Sequence, residues 1–287
     1  HSTLFPYTTL FRSGGTDWAP PLRHTRLRAC RRCGTFLNDR SRTRQEEESR
    51  YTHGEPPALA GEDAVAGAQW RWLVRTLHPA REPLALLDVG CGGGAFLRAA
   101  REAGARVMGL ELDPAMVAEC RSAGIPVVHG SLFDVDVPPG PWDVITLWDV
   151  LDHLEAPGQA IRMLTGQLAP AGTLIVRGRN ARIHVKLKAA YRRVHGVAAA
   201  LGIPDVSAVH RWGFSPSGYR SLLERAGLQA TRLHPGVPTP GDRYRALGPG
   251  LAAAALKGLT RAGGLALHAA TRGRAYPFPS VLITGSS

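Results

Sequence analysis

"LLDVGCGGGAFL", residues 86–97, joins a short apolar run to glycines at 90, 92, 93 and 94 and then to a second apolar segment. An apolar run of this length that ends in glycine reads as a parallel strand buried on both faces. Glycines at a strand-to-helix turn let a ligand approach the backbone and free helix N–H groups for an anion. The spacing Gly90, Gly92, Ala95 also satisfies the looser dinucleotide fingerprint, so the glycines alone do not choose between ligands. Glu111 closes the next run, "RVMGLEL" (106–112), where an acid can accept hydrogen bonds from a ribose diol. Glycine turn and acid together point to an adenosine-type ligand.

Working outward, the same alternation repeats. "PAMVAECRSAG" (114–124) is a helix with Pro114 in its first turn. "IPVVHGS" (125–131) and "WDVITLW" (142–148) are strands three and four; "PGQAIRMLTGQLA" (157–169) is helical and "GTLIVRG" (172–178) is strand five. This order predicts an α/β fold, a doubly wound and mostly parallel sheet. Its ligands sit at the carboxyl ends of the strands, where the strand order switches. "AVAGAQWRWLVRTLHP" (64–79) is a helix before the sheet, stopped by Pro79. Beyond residue 180 lie a basic amphipathic helix (181–202) with Ile183, Leu187, Tyr191 and Val194 on one side, and a helix (215–227) opened by Ser215 and Pro216. "LQATRLHPG" (228–236) and "PSVLITGSS" (279–287) complete the sheet.

The bulk composition sets limits on function. The formal net charge is +12, but the basic residues are almost all arginines spread along the chain, with only Lys186, Lys188 and Lys257 as lysines. A nucleic-acid partner is therefore not expected, and most of the charge reads as solvated surface. The four cysteines, 30, 33, 91 and 120, are too few for a disulfide framework in 287 residues, which favours a reducing, cytoplasmic setting. No apolar run reaches the roughly 18–20 residues of a spanning helix; 251–270 comes nearest and is interrupted by Lys257 and Arg261.

The amino terminus divides into pieces. Leu4 to Ser13, "LFPYTTLFRS", resembles the in-frame translation of an adapter used in short-read sequencing, so residues 1–13 are expected to add nothing to the fold. Residues 14–50 form a basic remnant around "CRRCGTF" (30–36), and 51–83 are a linker and helix leading into the main domain, 84–287. Cys30 and Cys33 make a CxxC that reads either as one knuckle of a zinc ribbon or as a stray pair in an arginine-rich linker. Tetrahedral zinc needs four ligands, and ribbons space their two pairs by about 15–20 residues. A first pair would fall at or beyond Gly14, so Cys30 and Cys33 are half a metal site and no metal is expected.

"LLDVGCGGG", "VMGLELDP", "WDVITLWDVLDHL" and "LAPAGTLIVRGRN" resemble, in that order, the successive motifs of class I S-adenosylmethionine-dependent methyltransferases. The resemblance is strong over 84–180 and weaker over 205–235; members of the small-molecule branch often carry an N-terminal CxxCG ribbon. It implies a Rossmann-like methyltransferase fold with helical cap insertions and S-adenosyl-L-methionine as cofactor. Asp88 would sit near the ammonium or orient the loop, and backbone N–H groups of Gly90, Cys91, Gly92 and Gly94 would face the carboxylate. Glu111, with Leu112 beside it, would hold the ribose hydroxyls. Where relatives place an Asp near the adenine, this chain has Ser131, followed by Leu132. Trp148 and Asp149 end strand four beside the methyl donor.

Methyl transfer is mostly positioning for in-line displacement. A hydroxyl acceptor must also lose a proton, and His153 and His210 are the candidate bases because histidine acts near neutral pH. His184 reads as solvated, and Cys91 and Cys120 as small packing residues. Seven basic residues and no acid between Arg177 and Arg193 would suit an anionic substrate, a peripheral membrane contact or plain solvation. The reading is a methyltransferase acting on a small molecule, at a hydroxyl oxygen first and at carbon or nitrogen otherwise. A nicotinamide-dependent oxidoreductase and a non-catalytic cofactor-binding module are the alternatives.

Overall fold

Strand residues that alternate between two apolar sides bury both faces of a sheet only if helices cover both. The computed structural model describes residues 27–38, 49, 62–78, 83–196, 210–235, 262–271 and 276–287. Its main sheet contains β3 (Ala85–Val89), β4 (Arg106–Glu111), β5 (Val127–His129), β6 (Trp142–Trp148), β7 (Leu168–Arg179), β9 (Gln229–Pro235) and β10 (Ser280–Ser286). The spatial order is β5-β4-β3-β6-β7-β10-β9. The first five strands pair in parallel, and β10 lies antiparallel to both β7 and β9. The sheet is therefore mostly parallel, and the order reverses between β3 and β6.

Period-two alternation sorts the side chains. Leu86, Val144, Ile175 and Leu282 pack with Leu73 of α1 (Glu62–Leu77), Phe96 and Leu97 of α2 (Ala95–Glu102) and Cys120 of α3 (Pro114–Ser122). Their neighbours Leu87, Ile145, Val176 and Ile283 pack on the other face with Ile161 of α4 (Pro157–Thr165) and with Tyr219 and Leu222 of α6 (Pro216–Arg225). α5 (Ala181–Arg193) leaves β7 directly.

Four local readings need correction. The helix expected over 157–169 stops at Thr165, and Leu168 already pairs with Trp142 as the start of β7. The apolar side expected on α5 is not its buried side: Leu187 is 41% exposed, whereas Ala181 and His184 are buried. His184 is thus not solvated; its Nε2 lies 3.2 Å from the Pro279 carbonyl. Arg177 leaves the basic surface too, buried at the end of β7. Residues 1–26, and with them the adapter-like segment, lie outside the described residues.

The cysteine knuckle is built into the body of the protein. β1 (Leu27–Ala29) and β2 (Phe36–Asn38) form a hairpin, and β2 pairs antiparallel with β8 (Trp212–Gly213). Cys30 and Cys33 are buried in the same apolar cluster as Trp212, Phe214 and Tyr219. Ser215 ties this hairpin to α6: its Oγ accepts from the Gly218 N–H at 2.9 Å, capping the helix, and donates to the Cys33 carbonyl. Losing a serine N-cap costs about 0.5–2 kcal/mol. Ser217 Oγ also donates to the Cys33 carbonyl, at 2.8 Å, so that acceptor stays satisfied. Ser215→Ala should therefore destabilise the protein by about 1 kcal/mol in a urea titration, at an unchanged denaturant slope. A slope that falls would show instead that the hairpin detaches before the sheet unfolds.

Candidate active site

The carboxyl ends of β3, β4 and β6 bring the sequence motifs together. β3 runs into the glycine loop, where Gly90, Gly92 and Gly94 all have positive φ. Gly90 must be glycine for a second reason: a Cβ there would meet Val150 Cγ2 at 2.5 Å. That contact sets the glycine loop directly against the segment that follows β6. At Gly92 a Cβ would meet nothing within 4 Å, so this side of the loop faces open space.

The loop's amides are differently engaged from the expectation that they face a ligand carboxylate. Gly90 and Cys91 donate to the Leu110 carbonyl at 2.7 and 3.3 Å, and Gly94 to Cys91 O at 3.1 Å. Gly92 N–H donates to Glu111 Oε2 at 2.8 Å. Short amide-rich turns satisfy their donors internally because buried N–H groups are costly to leave bare. Glu111 is correspondingly the organiser of the loop. It is 9% exposed, and its Oε1 accepts from Leu112 N and Asp113 N at 2.7 and 2.8 Å. A carboxylate has about four lone-pair sites, so three amides leave room for one further donor.

Asp88 lies deeper, 2% exposed, and accepts from Thr146 Oγ1 on β6 at 2.6 Å. Burial pushes its carboxyl up to about 7; the Glu111 charge pushes the same way and the Thr146 hydrogen bond opposes both. Thr146 went unseen in the sequence because a buried threonine in an apolar strand looks like any β-branched packing residue. Leu132 is buried after β5, and Ser131 carries the turn there, its carbonyl accepting from Asp134 N and Val135 N.

After β6 the chain turns sharply. Trp148 meets Phe96 edge-to-face at 5.3 Å, and its buried Nε1 has no hydrogen-bond partner. Asp149 has φ 59, a left-handed conformation uncommon for a residue with a side chain and concentrated at functional sites. It is held there by its own N–H to the Arg177 carbonyl, at 2.9 Å, and by an ion pair with the Arg177 guanidinium.

The two candidate histidines meet. The rings of His153 and His210 have centroids 4.0 Å apart and are tilted by 36°. Behind them lies Asp152, whose Oδ2 is 3.9 Å from His210 Nε2. Its other oxygen, Oδ1, is buried with no hydrogen-bond partner. One ligand-type atom from each of the three residues lies within 4.8 Å of the others. Burial raises the Asp152 carboxyl to about 6, against the attraction of His153. β8 supplies the geometry: Trp212 N–H donates to the Asp152 carbonyl at 3.0 Å, anchoring the His210 segment over the β6 turn. Asp152 was missed in the sequence, where its one signal is an acid immediately before a histidine in "LDHL".

A family model described as a methyltransferase domain matches residues 63–233, more than half of the chain. The chain is similar to proteins named ubiquinone biosynthesis O-methyltransferase. With that of Methylococcus capsulatus it shares 32% identity over 95 residues, 31% of this chain and 40% of the relative. With that of Ralstonia nicotianae it shares 29% over 156 residues, 52% of this chain and 64% of the relative. The matched stretches thus span less than two thirds of either relative. Among solved structures, an S-adenosylmethionine-dependent methyltransferase of Mesorhizobium loti superposes with a TM-score of 0.51 at 20% identity, covering 77% of this chain and 98% of that one. One from Archaeoglobus fulgidus gives 0.50 at 12% identity, covering 85% and 100%. Both show the fold alone.

Proposed function

We propose, from the premise that the chain belongs to the class I S-adenosylmethionine-dependent methyltransferases, that it moves a methyl group to a hydroxyl oxygen of a small-molecule acceptor. The observation that carries this reading is the Gly90–Val150 contact, which sets the loop tied to Glu111 beside the turn that leads into the Asp152–His153–His210 cluster. Oxygen is favoured over carbon or nitrogen because a hydroxyl needs a proton acceptor and the two histidines supply one. The names of the similar O-methyltransferases support the same choice. Nicotinamide chemistry falls with the family assignment.

The residues fit the cofactor. Glu111 has one free acceptor position for a ribose hydroxyl, and the open side of Gly92 leaves the backbone approachable there. Trp148 offers an unpartnered indole N–H. Asp88, beneath the loop and tied to Thr146, orients it. S-adenosylmethionine, when bound, supplies an electrophilic methyl group. The protein's part is then to fix the acceptor in line and to take its proton, with His153 as the proposed base and His210 stacked against it. Asp152 is a positioning residue: a buried carboxylate beside two imidazoles stabilises the charge that one of them gains. The four free thiols suit a reducing compartment, and cytoplasm is the proposed location. Among the described residues no helix is long and apolar enough to cross a membrane.

Calorimetry with S-adenosylhomocysteine and with NADH, followed by turnover on a panel of phenols and alcohols, tests the proposal. Binding of the first compound alone together with an O-methylated product is the expected result. Binding without turnover on any acceptor would return the silent-module reading.

A second reading is favoured by the bare Asp152 Oδ1: the same three side chains hold a divalent cation that acidifies the acceptor hydroxyl. Chelation would then abolish turnover and metal would restore it, whereas the base reading requires turnover to survive chelation.

A further inference from the structure

Two thiols lie under the glycine loop, on the side away from the open face of Gly92. Cys91 belongs to the loop and Cys120 to α3, and both are buried, at 8% and 0% exposure. Their sulfurs are 3.9 Å apart. Cys120 S–H donates to the Gly92 carbonyl at 3.1 Å; Cys91 Sγ lies 3.7 Å from the same carbonyl and 3.9 Å from the Cys120 sulfur. Each sulfur also packs over a glycine. A Cβ on Gly94 would come within 2.9 Å of Cys120 Sγ, and one on Gly109 of β4 within 2.6 Å of Cys91 Sγ.

We propose that Cys91 and Cys120 form a redox-active dithiol, a modification site that closes to a disulfide under a hydroperoxide and so disables the loop. The effect on ligand binding rests on the reading of this loop as the cofactor cradle; the disulfide itself does not. Disulfide sulfurs lie about 2.05 Å apart, so closure draws the loop toward α3 by nearly half the present separation. It also removes the thiol proton from the Gly92 carbonyl, on the residue whose N–H binds Glu111. The glycine loop and Glu111 then lose their register.

The chemistry balances with one peroxide. The sulfur of Cys91, the less fully buried residue of the two, attacks the O–O bond to give a sulfenic acid, and the departing hydroxide leaves as water with the thiol proton. The Cys120 sulfur then displaces the sulfenic hydroxyl, which takes the second thiol proton and leaves as a second water. Two thiols are oxidised by two electrons and the peroxide is reduced by two. Accepting the Cys91 hydrogen bond makes Cys120 the easier thiol to ionise, which suits it to the resolving step. That same bond, and burial after it, raise the Cys91 thiol, so the first step is slow.

The test uses the full chain. Protein treated with hydrogen peroxide, alkylated under denaturing conditions and digested with trypsin should yield residues 82–98 linked to 107–121. This product is distinct from any pairing of Cys30 with Cys33, which lie in residues 29–31 and 33–40. Affinity for S-adenosylhomocysteine should fall by about tenfold or more and recover with a dithiol reductant. In Cys120→Ala, whatever its starting affinity, the same treatment should cause no further loss. Absence of the linked peptide, or Cys91 carried on to a sulfinic acid without linkage, would overturn the dithiol. A linked peptide in a protein that never bound S-adenosylhomocysteine when reduced would overturn the cradle reading and leave the dithiol standing.

Discussion

Glu111→Ala is expected to weaken S-adenosylhomocysteine binding by roughly ten- to a hundredfold, from one lost charge-assisted hydrogen bond worth about 1.5–3 kcal/mol. The substitution has a second consequence that the sequence did not announce. The same carboxylate accepts from Gly92, Leu112 and Asp113, so its removal bares three amides around the loop. Stability and affinity should therefore fall together in the alanine variant. Glu111→Gln separates them: its amide oxygen can still accept from Leu112 and Asp113, while its NH₂ faces Gly92 N–H donor to donor. Calorimetry on both variants, with thermal unfolding alongside, decides the matter. An alanine variant that melts lower yet binds as wild type would make Glu111 a brace for the loop and nothing more.

Asp88 adds a pH dependence with a definite sign. Its carboxyl, raised to about 7, holds a proton in the fold that it would release in the unfolded chain. The fold therefore gains relative to the unfolded state as pH falls through about 7 toward 4, and loses that gain above 7. Asp88→Asn should flatten this limb of the stability profile, since an amide keeps the Thr146 contact without titrating. An unchanged slope between about pH 4 and 7 in this variant would assign it to other groups.

What the sequence could reveal follows from where the information is local. β3, β4 and β6 are legible because buried parallel strands are continuous apolar runs closed by glycine or an acid. The glycine loop and Glu111 are legible because their residue types and spacing are both unusual. Hydrogen-bond direction was not: nothing in "GCGGG" says that four of its amides turn inward. Nor does helical periodicity reveal that His184 is buried beside Pro279 while Leu187 is exposed, because the buried side of α5 is fixed by a partner almost a hundred residues away. The hairpin around Cys30 and Cys33 is the clearest case. Its docking on β8 joins residues 36–37 to 212–213, a pairing with no trace in either stretch alone.

The meeting of His153 and His210 is likewise non-local, and it turns two separate candidate bases into one unit. Imidazoles with centroids 4.0 Å apart, one of them 3.9 Å from the buried Asp152 carboxylate, share one electrostatic environment, so a change at any of the three acts on the others. Removing a true base should lower turnover by about 10²–10⁴-fold while sparing cofactor affinity. His153→Ala is expected to show that full loss, because His153 is on the β6 turn that Gly90 sets against the glycine loop. His210→Ala should lose less in rate but displace the pH–rate profile, since the remaining imidazole then faces Asp152 alone. Asp152→Asn supplies the discriminating measurement: a residue that only packs would leave the profile where it was, whereas a positioning carboxylate moves it to lower pH by withdrawing the charge that favours the protonated imidazole. Near-wild-type turnover in both histidine variants, with S-adenosylhomocysteine binding intact, would mean that neither imidazole accepts the acceptor's proton. Transfer would then depend on an acceptor that ionises in solution, and its rate would track the acceptor's own acidity across a series of substituted phenols.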